Sequence, residues 1–203
     1  MKNIQKRNSI LMIIISVVIL LITGSLIYVH IQSNIRTNEK IIEEMRSGNF
    51  SNTNKLTKIT PEMSSFFTKI TYQEINLENL KSAEGLVLPK TMKGGLYLNS
   101  ITSTKGLVLP ETIGGSLNLE NLKSAEGLVF PKTIGGDLNL SSLSSVKNVV
   151  LPETVGNSLS LRNLTSFKGL KFPESVGGVI ELQDITSVDS LILPKTVGGL
   201  EGL

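Results

Sequence analysis

The sequence predicts a mainly β protein: a parallel-strand solenoid of about six 21-residue coils, preceded by an N-terminal transmembrane helix. Three observations carry that prediction. Prolines stand at 89, 110, 131, 152, 173 and 194, each 21 residues after the last. Within each period an apolar, polar, apolar triplet recurs, as in Leu117-Asn118-Leu119 and Leu138-Asn139-Leu140. Ahead of the repeats, residues 10–29 (ILMIIISVVILLITGSLIYV) run without a charge. A fixed period of this length marks coils that cannot bury their apolar faces alone and do so by stacking.

The apolar run comes first. As a helix at about 1.5 Å per residue it matches a hydrocarbon layer about 30 Å thick. It is longer than the apolar core of a cleaved leader, and Thr23, Gly24 and Ser25 make a weak cleavage site, so the run reads as an uncleaved signal-anchor. Lys2, Lys6 and Arg7 precede it closely, whereas Arg36 and Lys40 follow at a distance among polar residues. By the positive-inside bias, residues 1–9 are cytoplasmic and the rest of the chain lies outside the cell membrane, which it crosses once.

Residues 30–64 form a juxtamembrane stalk or linker. Ile31, Ile35, Ile42 and Met45 fall at helical spacing and continue the helix until Ser47-Gly48 breaks it.

From residue 65 to 203 the chain is periodic, with Thr68 in the first proline's place, and each coil reads roughly P-[KE]-[TS]-[IVM]-G-G-x-L-x-L-x-x-[LI]-x-S-x-x-G-[LV]-[VIK]-[LF]. The L-x-L pairs predict one short parallel strand per coil with a single buried face. A second strand-like stretch is expected before each proline, as in Leu107-Val108-Leu109, with the flanking residues inward and the middle one outward. Gly85, Gly106, Gly127 and Gly169 are expected at positive φ, since Asn148, the next best residue there, replaces glycine once. The Gly-Gly pairs read as turn glycines. Two columns, Lys90-Glu111-Lys132-Glu153 and Glu84-Lys105-Glu126-Lys147, alternate in sign and are expected to face each other between coils. The recurring Ser82, Ser103, Ser124, Ser145, Ser166 and Ser187 are expected to bond turn backbone from inside the solenoid.

This pattern resembles the bacterial leucine-rich repeat, L-x-x-L-x-L-x-x-N/C-x-L. The resemblance covers residues 65–203 and implies stacked coils with a recognition face. In the coil beginning at Pro110 the sequence departs from it: Gly114 stands in the first leucine slot, Leu122 in the asparagine slot and Ser124 in the next leucine slot. The phrase G-G-x-L-x-L also resembles the coils of receptor L-domain β-helices, and a straighter solenoid stays open beside a horseshoe.

The chemistry is read largely by exclusion. A formal charge of +3, scattered basic residues and 4% aromatics give no nucleic-acid patch. Without cysteine there is neither a disulfide nor a thiolate metal site. The only histidine, His30, lies beside the apolar run, leaving the repeated serines no base, and Asp occurs only at 137, 184 and 189. No cofactor, metal or enzymatic activity is expected.

What remains is binding. Asn76, Tyr97, Asn118, Asn139, Ser160 and Glu181 form an outward row about 4.8 Å apart that suits an extended peptide or glycan. The same row reads equally as a plain wetted sheet face, in keeping with a spacer or self-assembly element that has no ligand. Val87, Val108, Val129, Val150 and Ile192 form a second outward row, interrupted by Lys171. After Pro194 the pattern places Glu201 where a leucine belongs, and the uncapped end reads either as a self-association surface or as the mark of a chain shortened relative to longer relatives.

Overall fold

The computed structural model describes residues 25–27, 32–70, 73–164, 166–183 and 192–202. It divides into two compact units, 1–43 and 44–203. All of the apolar run except 25–27 lies outside the described residues. Among the described residues, no helix is long and apolar enough to cross a membrane.

Helix α1 covers residues 32–46 and stops at Ser47-Gly48, where Gly48 takes φ +84°. That stop is the one expected. Along α1, Ile35 is exposed and Ile42 half-buried, while Met45 is buried; Ile31 lies outside the described residues.

The second unit opens with a cap. A 3-10 turn, Thr53–Lys55, and helix α2, Pro61–Phe67, bring Leu56, Met63 and Phe67 into complete burial. Thr60 starts α2 by accepting a bond on its side chain from Met63 N at 3.2 Å, and Pro61 supplies a φ already suited to a first turn. The cap is stitched to the first coil by polar atoms. Thr53 Oγ1 donates to Asn76 O at 2.8 Å, and Val87 N donates to Ser64 Oγ at 2.6 Å.

Among the described residues eleven strands form one parallel sheet, and each inner coil contributes twice to it. One ladder joins β1 (Ile75–Asn76), β3 (Leu96–Tyr97), β5 (Leu117–Asn118), β7 (Leu138–Asn139) and β9 (Leu159–Leu161). The other joins β2 (Thr91–Met92), β4 (Thr112–Ile113), β6 (Thr133–Ile134) and β8 (Thr154–Val155). The two meet at β10 (Ser175–Leu182), a single strand long enough to pair with both β8 and β9. Up to Val176 every partner is 21 residues away, as in Leu96 with Leu117 and Ile134 with Val155. The predicted solenoid and its count are therefore present.

The position of the second ladder differs from expectation. Leu107 is buried, Val108 exposed and Leu109 half-buried, so the segment alternates as read. It forms no ladder: Leu107 N donates back into its own turn, to Thr104 O at 2.9 Å, and Pro110 brings no N–H to the end of the segment. Bonding between coils resumes one residue later, where Glu111 N donates to Lys90 O at 2.7 Å, and the strand follows at Thr112–Ile113.

The core is aliphatic and columnar. Leu96, Leu117, Leu138 and Leu159 stack above Leu98, Leu119, Leu140 and Leu161, all without exposure, and Ile101, Leu122 and Leu143 close the third inward column. Each such side chain contributes about 1.5–3 kcal/mol by burial before its entropy is subtracted.

The glycines fall into two classes. Gly85, Gly106, Gly127 and Gly169 take φ between +75° and +85°, and Asn148 takes +55°, as expected for a left-handed corner. The Gly-Gly pairs do not. They serve close approach, as does Gly156 in the one coil where Asn157 replaces the second glycine: a Cβ on Gly135 would lie 2.2 Å from Gly114 O, on Gly156 2.1 Å from Gly135 O, and on Gly177 2.1 Å from Gly156 O.

The serines are corrected as well. Ser82, Ser103, Ser124, Ser145 and Ser166 are exposed, and each accepts from the N–H two residues ahead at 3.2–3.4 Å. They bond turn backbone, but from outside. Ser187 lies outside the described residues.

The last strand, β11 (Thr196–Glu201), slips by one residue. Val176 pairs with Val197 but Val179 pairs with Gly199, and Ile180 then faces Leu200. The slip moves Leu200 onto the inward column and Glu201 beside Glu181 in the outward row, reversing the placement of Glu201 read from the count.

Candidate functional site

Strand register brings all six residues of the proposed row together. Asn76 pairs with Tyr97, Tyr97 with Asn118, Asn118 with Asn139, Asn139 with Ser160, and Ser160 with Glu181. Each sits between two inward leucines or isoleucines, so the period-two alternation that buries the neighbours turns this residue out. Ser160 is buried and the others are half-buried, and from Tyr97 to Glu181 the row floors a shallow groove.

That groove, about 410 Å³, is also lined by Ser116, Asp137 and Ser158. These three occupy the x of G-G-x (G-N-x for Ser158), two residues before the row, and therefore share its face. They were missed as site residues although the same alternation places them there. They are tied in a chain. Asp137 N donates to Ser116 Oγ at 3.0 Å and Ser116 Oγ to Asp137 Oδ2 at 3.2 Å; Ser158 N donates to Asp137 Oδ1 at 3.0 Å, and Val179 N to Ser158 Oγ at 3.2 Å.

The row's own polar atoms are partly engaged. Asn76, Asn118 and Asn139 each accept on Oδ1 from the N–H two residues ahead, at 3.0 Å in every case. Ser141 Oγ lies 2.8 Å from Ser160 Oγ, and Glu181 pairs with Arg162 at 3.1 Å. Tyr97 donates its hydroxyl to Glu74 Oε1 at 3.3 Å. Burial of the ring, reinforced by the charge and hydrogen bond of Glu74, raises the phenol above its ordinary pKa. The face thus combines one phenol, a run of side-chain amides and several carboxylates.

The expected charge columns form ion pairs between coils two by two: Lys90–Glu111 at 3.8 Å, Lys105–Glu84 at 3.6 Å, Lys132–Glu153 at 3.6 Å and Lys147–Glu126 at 3.2 Å. All are exposed pairs, worth about 0–1 kcal/mol each, and they report register more than stability. Among the described residues, no group of three or more His, Asp or Glu side chains gathers as metal ligands would.

Comparison with known proteins adds no assignment: no protein family, no curated protein and no solved structure matches the chain.

Proposed function

We propose that this chain is a non-catalytic recognition or adhesion module of the leucine-rich-repeat kind, displayed on the cell surface by a single-pass anchor at residues 10–29. Its ligand is an extended protein segment or glycan lying along Asn76, Tyr97, Asn118, Asn139, Ser160 and Glu181. The reading rests on one observation, the unbroken register that sets these six residues in one row, five of them, Tyr97 to Glu181, along one groove. An extended ligand repeats every few ångströms, and so does the row. The receptor L-domain type of β-helix is the competing family likeness, and it carries the same recognition role.

The test uses the detergent-solubilised full chain on peptide and glycan arrays. Tyr97→Ala combined with Asn118→Ala removes the aromatic and one amide, and should weaken capture about 10- to 100-fold at 1–2 kcal/mol per contact, with an unchanged circular dichroism spectrum. Equal capture by the double variant would sink the proposal. Protease treatment of intact cells checks topology: a solenoid outside the membrane is digested while a cytosolic marker survives.

A second reading, a spacer without ligand, is favoured by the three asparagine carbonyls that already cap their own turns. It predicts no capture by either chain.

A further inference from the structure

The groove along the polar row is not the only organised surface. Val87, Val108, Val129 and Val150 are between 55% and 81% exposed, one above another on consecutive coils. A groove of about 680 Å³ lies between Val108 and Val129 and is floored by Pro110 and Pro131. Exposed apolar rows of this kind mark contact surfaces.

The charges beside the row carry the information. Each coil has one charge three residues before its valine and another three residues after it. The pairs are Glu84 and Lys90, Lys105 and Glu111, Glu126 and Lys132, and Lys147 and Glu153. In every pair the signs are opposite. Stacking explains alternation up each column, through the ion pairs between coils. It does not explain opposition across the valine, because the two members are six residues apart along the chain, on either side of the left-handed corner and the valine, and no ion pair joins them. The opposition also survives where stacking alternation fails. Lys147 is followed by Lys168 and Glu153 by Glu174, like above like, yet Lys168 and Glu174 are still opposite to each other.

A second copy of this chain is the occupant that such a surface fits. We propose that two chains pair face to face through the valine row, antiparallel, about a two-fold axis between the coils of Val108 and Val129. Val108 then meets the partner's Val129, and Val87 the partner's Val150. Glu84 meets the partner's Lys147, Lys105 the partner's Glu126, Lys90 the partner's Glu153 and Glu111 the partner's Lys132. Every charged contact joins opposite signs, and the groove between Val108 and Val129 lies on the axis. Parallel pairing would also match the flanking charges, but it sets Lys171 in the middle of the row against the partner's Lys171. Antiparallel pairing leaves Lys171 beyond the seam.

Four coils at about 4.8 Å make a patch of roughly 300–400 Å² per chain, below the roughly 800 Å² typical of a stable complex, so the dimer is weak and reversible. Such a pair carries its N-terminal caps at opposite ends.

The absence of native cysteine makes the geometry directly testable. Full-length chains carrying Val87→Cys and Val150→Cys are purified separately in detergent, checked by circular dichroism and oxidised alone or mixed. Mixed chains should form disulfide dimers at least about tenfold faster than Val87→Cys alone, whose sulfurs lie about 14 Å apart along the seam, beyond disulfide reach. Raising salt should slow the mixed reaction. Fast dimerisation of Val87→Cys alone would overturn antiparallel pairing in favour of parallel. Failure of the mixture to exceed either chain alone would overturn self-association through this row.

Discussion

At the residue scale, the two glycine classes separate conformational need from spatial need. Gly127 sits at φ +75° with nothing within 4 Å of an added Cβ, so it needs only a left-handed backbone. Gly127→Asn, which reproduces what Asn148 does one coil later, should cost at most about 1 kcal/mol. Gly156→Asn must place its Cβ 2.1 Å from Gly135 O and should cost about 3 kcal/mol or more, since the obstacle is backbone. Urea denaturation of both variants reads the difference. Tyr97 supplies a pH signature. Its raised pKa means that the folded chain holds the phenolic proton more tightly than the unfolded one. The associated stability is complete below the unfolded value of about 10 and is lost as pH rises through the folded value. As pH rises above about 10 the wild-type chain should lose stability that Tyr97→Phe retains, measured as a difference in urea midpoint.

At the element scale, what was legible was what repeats. The L-x-L strand, the outward row, the left-handed corners and the charge ladders all follow from a count of 21 and an alternation of two. The second ladder was placed several residues early because alternation reports burial and not hydrogen bonding: Leu107-Val108-Leu109 alternates without pairing, while Thr112–Ile113 pairs over only two residues. Ser116, Asp137 and Ser158 were overlooked because their slot varies in residue type and hides within G-G-x. The cap gave no periodic signal up to residue 64, since a cap exists to end a period, and helix α2, Pro61–Phe67, runs across the start read for the repeat. It is nevertheless testable. Thr53→Val removes a buried hydroxyl that donates to Asn76 O and leaves that carbonyl without it, at a cost of about 1–3 kcal/mol, whereas Thr53→Ser should be nearly silent. Chemical denaturation monitored by circular dichroism distinguishes the two.

For the repeat unit as a whole, coils touch only their neighbours, so stability is close to a sum of coils and interfaces. Deleting residues 110–130, one full period, joins Leu109 to Pro131 and restores the pattern. The shortened chain should fold with a lower unfolding midpoint and the same spectrum per residue. Deleting 111–130 removes one residue fewer, breaks the count and turns later inward side chains outward, so it should not fold. The slip at Gly199 shows how local an accommodation must be: it affects only the last strand, beyond which no described coil has to follow.

The close glycine contacts also have a direction. Gly114, Gly135, Gly156 and Gly177 each meet a carbonyl of the coil before them. The demand for a hydrogen in place of a methyl is thus passed down the stack from N to C. Lys93 holds the same slot in the earliest of these coils, and its carbonyl is the one that Gly114 meets. Any later tile can be copied behind any other, so gene duplication could lengthen the stack without new invention. The Lys93 tile alone is not interchangeable, because transplanted downstream its side chain would strike the backbone ahead of it.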